Sequence, residues 1–323
     1  MISLGKKALE AKDFLASVTE EQKNKALMAI ADALRKNSET IIEANKIDIE
    51  NGENAGLGKG LIDRLMLDEK RINDIADSVV NVIHLPDPCG ITLDKIERPN
   101  GLVIKKVSVP IGVVGIIYEA RPNVTADAAV LCLKSANAVI LRGGKEAINS
   151  NIAISSVMRA AIKSCGFDEN CIQLVTDTSR NSANEMMKMN GYLDCLIPRG
   201  GKNLIKSVVE NSTVPVIETG SGNCHIYVDE YADVDMAAKI IFNAKTQRIS
   251  VCNSCESLVI HSAIINKAMP KIKELLDEKN VEIRGDARAM LAADGILPAN
   301  EEDFSTEYLD YIISVKTVDS LDE

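Results

Sequence analysis

The sequence predicts an α/β fold built on parallel sheets, and three observations carry that prediction. Short, continuously apolar runs recur from residue 111 onward, helical stretches lie between them, and at 323 residues the chain is long enough for two such sets. Continuous apolar strands alternating with helices are strands buried on both faces, which is the condition of a parallel sheet covered by helices.

Taken in order, residues 3–50 read as helices: Ala, Leu, Lys and Glu dominate, and Leu27, Ile30, Ala31 and Leu34 recur at helical spacing. Thr19 with Gln22 three positions on is the capping-box arrangement. The Gly-rich segment 51–60 is expected to be a loop, with helix resuming over 61–82 until Pro86-Asp87-Pro88 stops it. Two extended runs, Thr92–Arg98 and Leu102–Val109, flank Pro99-Asn100-Gly101. Asn-Gly predicts a tight hairpin turn in which both residues take positive φ. Such a hairpin has no place in an α/β core; it is either an arm that pairs with another subunit or a plain surface hairpin.

Strands are predicted at 112–118, 138–141, 172–175, 193–197 and 214–217, with helices at 124–135, 146–164, 180–190 and 201–211. Five such strands with right-handed crossovers make a doubly wound, dinucleotide-binding-like domain. A second set follows, with strands near 225–228, 256–260, 281–284 and 311–316 and helices near 233–244 and 263–279. The run Val318–Glu323 reads as the opening turn of a further helix, so this second domain is expected to lack its C-terminal part. The domains expected are 1–91 with 110–219, the hairpin 92–109, and 220–323.

Composition narrows the function. A formal charge of -10 without a Lys/Arg-rich block argues against nucleic acid or an anionic membrane as partner, and an anionic substrate needs a local cationic pocket. The N-terminus lacks the apolar core of a signal peptide, and no apolar run approaches a membrane span. Eight cysteines in a chain this long suggest reduced thiols, so a cytoplasmic location is expected. With no Trp and 3% aromatic residues, aliphatic side chains must fill the core.

Four segments could carry chemistry. Cys252 follows the polar stretch Lys245-Thr246-Gln247-Arg248, and a nearby Arg248 favours a thiolate; most other cysteines lie in apolar runs, where a small buried hydrophobe is the plainer reading. Cys252 and Cys255 form a CxxC, but it precedes a strand, unlike redox motifs at helix starts, and the scattered His84, His225 and His261 supply no zinc site; no metal is expected. Glu218 ends an apolar run ahead of a Gly-rich turn, where it is either an acid/base group or a carboxylate capping nearby backbone. Arg142 and Lys145 surround Gly143-Gly144 after the second strand, where a cation accommodates the 2′-phosphate of NADP; no GxGxxG follows the first strand. Arg121, in Tyr118-Glu119-Ala120-Arg121-Pro122-Asn123, is suited to gripping a phosphate or carboxylate, or else forms a structural ion pair.

Together these segments resemble the gamma-glutamyl phosphate reductase family of the aldehyde dehydrogenase superfamily. The matching runs are Ile117–Thr125, Ile140–Gly144, Ile197–Lys202, Val216–Gly220 with Gly222–His225, and Asn243–Arg248 with Ser250–Asn253, in the family's order. The resemblance implies an aldehyde dehydrogenase-like fold: a coenzyme domain, a catalytic domain, and a β-arm for homo-oligomerisation at 92–109. It implies NADPH-dependent reduction of L-glutamyl 5-phosphate to L-glutamate 5-semialdehyde and phosphate, the second step of proline biosynthesis from glutamate. By that similarity Cys252 is the nucleophile, with Glu218 and the adjoining Asn253 as catalytic positions. Arg142, Gly143, Gly144, Lys145, Gly200, Gly201 and Glu307 fall to the cofactor, with Glu307 on the nicotinamide ribose. Arg121, Asn123 and Lys202 fall to the substrate. Two departures stand out: Ile249 replaces a proline common in the family, and Ala120 falls near the superfamily's asparagine oxyanion donor. Family members also continue past residue 323.

Three alternatives remain on the sequence: an acylating aldehyde dehydrogenase using coenzyme A, a non-catalytic binding fragment, and a thiol redox protein using Cys252 and Cys255.

Overall fold

A run of helices precedes the first strand: α1 (Ile2–Leu15), α2 (Glu20–Lys36), α3 (Ser38–Asn54), α4 (Lys59–Leu65) and α5 (Glu69–Ile83). The computed structural model describes residues 1–218, 220, 222–249 and 251–323, with Lys59 by its backbone alone. The capping box forms as predicted: Gln22 N donates to Thr19 Oγ1 at 3.3 Å and Thr19 N to Gln22 Oε1 at 2.9 Å. Two boundaries differ from expectation. Helix α3 runs into the expected loop, because its buried face (Ile41, Asn45, Asp48, Gly52) keeps helical spacing past residue 50. The expected helix 61–82 is divided at Met66–Asp68, where the Asp68 carboxylate accepts from Arg71 N at 2.7 Å and starts a new helix.

The hairpin is present as β1 (Thr92–Glu97) and β2 (Val103–Val107), antiparallel and exposed along both strands. Its turn is not the predicted one. Arg98 N donates to Leu102 O and Gly101 N to Arg98 O, each at 2.9 Å, and Gly101 takes φ 84° while Asn100 does not enter positive φ. A three-residue loop ending in a left-handed glycine replaces the two-residue turn, and the Asn100 side chain accepts from Leu102 N instead.

The chain forms two compact units, Met1–Thr219 and Gly220–Glu323. In the first, β3 (Val113–Tyr118), α6 (Pro122–Lys134), β4 (Ala138–Arg142), α7 (Ile148–Ser164), β5 (Ile172–Leu174), α8 (Arg180–Met186), β6 (Cys195–Arg199) and α9 (Lys202–Asn211) alternate. The sheet is parallel in the order β5-β4-β3-β6. The fifth predicted strand shrinks to a bridge between Leu196 and Val216. Leu196 N donates to Pro215 O and Ile217 N to Leu196 O, but Pro215 has no N–H with which to extend a ladder. Every residue of β3 is buried, as the apolar run requires, and its core neighbours include Leu141, Ile154 and Ile162.

The second unit contains β7 (Cys224–Val228), α10 (Val234–Thr246), β8 (Cys255–His261), α11 (Ile265–Asp277), β9 (Glu282–Gly285), α12 (Ala287–Ala292), β10 (Leu297–Pro298) and β11 (Ile312–Val318). Its five-stranded sheet is parallel throughout, in the order β10-β9-β11-β8-β7. Ile241, Leu258, Ile272, Ile313 and Val315 form its aliphatic core. Residues 319–323 bend and turn instead of opening a helix, and Arg288 Nη1 donates to the Asp319 carboxylate at 2.6 Å.

Candidate active site

In the first unit the C-terminal ends of β3, β4 and β6 lie side by side, with Ile117 opposite Arg142 and Tyr118 opposite Arg199. This is the edge at which open parallel sheets receive ligands. The loops there interlock: Glu119 N donates to Arg199 O at 3.3 Å, and Gly201 N donates to Glu119 Oε2 at 2.9 Å. Gly143 must be a glycine, because a Cβ on it would sit 2.2 Å from Asn151 Nδ2 and 3.0 Å from the Tyr118 ring. Beneath it the Tyr118 hydroxyl and Thr125 share a 2.7 Å hydrogen bond, and Thr125 Oγ1 donates to Asn151 Oδ1 at 2.8 Å. Burial pushes the Tyr118 hydroxyl well above its usual range.

Arg142 ends β4 half-buried, its Nη2 donating to Thr178 O at 2.7 Å and Ser179 O at 3.0 Å, while its buried Nε has no hydrogen-bond partner among the described residues. Burial lowers its pKa, opposed by Asp177 and then Glu146. Gly144 begins the single turn that holds exposed Lys145. Arg121 is the half-buried N-cap of α6, its N–H on Glu119 O at 2.7 Å, with Pro122 next in the first turn. Asn123 Nδ2 donates to Asp127 Oδ2 at 3.0 Å; burial raises the Asp127 carboxyl against that bond. Gly200 and Lys202 are exposed at the start of α9, and Glu218 is exposed two residues beyond the Val216 bridge.

The second unit presents Cys252 and Asn253, both exposed, on the loop that joins α10 to β8. Gly222 lies against that loop: a Cβ there would fall 2.3 Å from Cys252 O and 2.8 Å from Cys252 Cα. The Cys224 thiol donates to Cys252 O at 3.4 Å, and Asn223 Nδ2 donates to Phe304 O at 3.1 Å. Cys89, Cys165 and Cys224 are partly buried, and the other four cysteines separate sharply from Cys252. Cys132, Cys171, Cys195 and Cys255 are buried, and burial pushes the thiols of Cys132 and Cys171 up to about 12 and that of Cys255 to about 11. The two cysteines of the CxxC therefore stand in opposite environments. Among the described residues, no group of three or more His, Cys, Asp or Glu is placed to hold a metal.

Sequence reasoning missed a buried pair at the base of this loop. Lys245 Nζ meets Glu256 Oε2 at 2.7 Å with both side chains almost wholly buried, and Leu309 N donates to Glu256 Oε1 at 3.2 Å. Burial raises the Glu256 carboxyl, while the Lys245 ammonium pulls it down. The signal was available: a glutamate inside an apolar strand requires a buried partner. Half-buried Glu307 sits two residues before Leu309, which has φ 54°.

The aldehyde dehydrogenase family model matches residues 3–291. Gamma-glutamyl phosphate reductases are similar throughout: that of Lachnospira eligens is 58% identical over 320 residues, 99% of this chain and 77% of that one, and that of Heliobacterium modesticaldum is 56% identical over 319 residues, 99% and 76%. The chain belongs to the gamma-glutamyl phosphate reductases of the aldehyde dehydrogenase family. The crystal structure of the gamma-glutamyl phosphate reductase from Thermotoga maritima superposes with a TM-score of 0.93 at 45% identity, covering 99% of this chain and 78% of that one. Aldehyde dehydrogenase-family enzymes use nicotinamide cofactors, act on small molecules and are often oligomeric. Among the described residues of this family member, no helix is long and apolar enough to cross a membrane.

Proposed function

We propose that this chain reduces L-glutamyl 5-phosphate to L-glutamate 5-semialdehyde and phosphate with NADPH, through a thioester on Cys252. The observation that carries this reading is the exposure of Cys252 on a loop backed by Gly222, when the neighbouring Cys255 thiol is buried.

The Cys252 thiolate attacks the acyl carbon of the acyl phosphate. The carbon–oxygen bond to phosphate breaks, phosphate leaves with the electron pair, and the thioester remains. The Cys252 N–H is a donor to the oxyanion of each tetrahedral species. When bound, NADPH supplies the hydride that turns the thioester into a thiohemiacetal. Collapse of that species breaks the carbon–sulfur bond, releases the aldehyde and restores the cysteine. Glu218 and Asn253 belong to the same catalytic set. The matching glutamate of hydrolytic family members activates water, whose place phosphate takes here.

Residues of the first unit suit a phosphorylated dinucleotide. Arg142 brings a cation with an unpaired buried Nε to the sheet edge, Lys145 adds an exposed ammonium, and Gly143 lets the β4 exit pass close to Tyr118 and Asn151. Gly144, Gly200 and Gly201 complete the proposed cofactor set, Gly200 exposed beside the Glu119 side chain, and Glu307 would hold the nicotinamide ribose. Arg121 and Lys202 would meet the acyl phosphate, with Asn123 beside them. The exposed β1–β2 hairpin suits a homo-oligomer, and a cytoplasmic setting suits reduced thiols.

The deciding experiment follows NADPH oxidation with glutamyl phosphate, or the reverse with semialdehyde, phosphate and NADP. Turnover in the chain and a loss of about a thousandfold or more in a folded Cys252→Ala variant are expected. Undiminished turnover in Cys252→Ala would sink the thioester. Turnover in reverse only when coenzyme A replaces phosphate would favour the acylating aldehyde dehydrogenase.

A further inference from the structure

The loop that presents Cys252 is closed at its neck by buried polar groups. Lys245 precedes it in the last turn of α10 and Glu256 follows it in β8, and their side chains meet at 2.7 Å with exposures of 0% and 1%. Ser254, also buried, turns its hydroxyl back to Ala244 O at 3.4 Å and Lys245 O at 3.5 Å, and its N–H donates to Val251 O at 3.1 Å. The second oxygen of the same carboxylate leaves the loop altogether and accepts the N–H of Leu309. Leu309 holds φ 54°, a left-handed conformation that a leucine adopts only where its surroundings impose it. Glu307 lies two residues upstream, close enough that its charge bears on Glu256.

A buried ion pair is a poor way to stabilise a fold, because apolar side chains of the same volume do so as well or better. What it supplies is direction: among the described residues each oxygen of Glu256 has one partner, and the partners belong to separate segments. We propose that Glu256 is a positioning residue that sets the Cys252 loop and the Glu307 segment together, with Lys245 holding the carboxylate in place. This rests on the reading of Cys252 as nucleophile and of Glu307 as a cofactor contact, and it assigns both to one hub that touches neither reactant.

The test compares Glu256→Gln with the double variant Lys245→Met/Glu256→Leu, which removes both charges and so keeps the unit folded if the single variant fails. A control that loosens the core of the same unit while leaving the ion pair intact comes from Ile272→Val. Hydrogen exchange of peptides covering 247–254 and 305–311 is measured together with alkylation of Cys252 by iodoacetamide across pH. Expected is acceleration of exchange in both segments by about tenfold, the scale of one lost charged hydrogen bond, and an alkylation profile displaced from the parent's. Ile272→Val leaves both local readouts as they are, and Lys245→Arg, which keeps the charge and leaves Glu256 in place, retains most of the protection. Exchange that rises in one segment only, in neither, or equally in Ile272→Val overturns the proposal. These readouts need no turnover, so they stand apart from the Cys252→Ala assay: a coupled response with undiminished turnover in that variant would retain the hub and discard the nucleophile.

Discussion

Gly222 and Cys252 are in backbone contact so close that the carbonyl oxygen of Cys252 occupies part of the space a Cβ on residue 222 would need, 2.3 Å away. No rotamer change relieves such a clash, since the obstructing atoms are main chain. Gly222→Ala is therefore expected to move the nucleophile and not a side chain. A displacement on the order of 1 Å at a reacting atom costs about a hundredfold in kcat. The measurement is kcat together with the thermal midpoint; an alanine variant with parental kcat would mean that the loop accommodates it freely.

Gly143 gives a different kind of prediction, because its obstructions are the side chains of Asn151 and Tyr118, both buried. Forcing a methyl into that packing should cost about 1–3 kcal/mol, read as a lower urea midpoint with an unchanged slope. NADPH affinity, followed by fluorescence, should fall as well, since the β4 exit would shift. A variant destabilised without any loss of affinity would remove Gly143 from the cofactor site.

How much of this was legible beforehand follows from what each residue needs. The β3 run Val113–Tyr118 announced a buried parallel strand because nothing polar interrupts it, and Thr19 with Gln22 announced a helix start because both partners are local. The strand expected at 214–217 failed because Pro215 cannot donate to a ladder, a local fact that the apolar pattern hides. Asn100 failed because loop length, and not the Asn-Gly pair alone, sets the turn. Cys252 stood out by its polar approach. Glu256, a carboxylate in an apolar strand, announced the need for a buried partner, but that the partners are Lys245 and Leu309 is decided only by the tertiary fold.

Arg142 divides its guanidinium between the loop carbonyls of Thr178 and Ser179 and an unpaired buried Nε. If that cation also answers the 2′-phosphate, Arg142→Gln should weaken NADPH binding by about tenfold, the worth of one charged hydrogen bond, and leave NADH nearly unaffected. Equal losses for both cofactors would mean that Arg142 only braces the 178–179 loop. Titrating each cofactor by fluorescence quenching separates the two.

Asp303 offers a pH test with a definite sign. Burial works to raise its carboxyl, but the Asn300 amide, the Tyr308 hydroxyl at 2.7 Å and Arg284 at 2.9 Å outweigh that and bring it below the usual carboxylate range. The folded state then binds protons less readily than the unfolded one. The stability Asp303 contributes is whole above the unfolded value, near pH ~4, and is lost as pH falls through the lower folded value. Asp303→Asn should thus cost roughly 1–2 kcal/mol near neutrality, where Arg284 loses one charged partner and keeps Glu282. The gap in thermal midpoint between parent and variant should hold steady down to about pH 5 and close below it. A gap that persists undiminished into strong acid would show that the asparagine acts through packing and not through the charge.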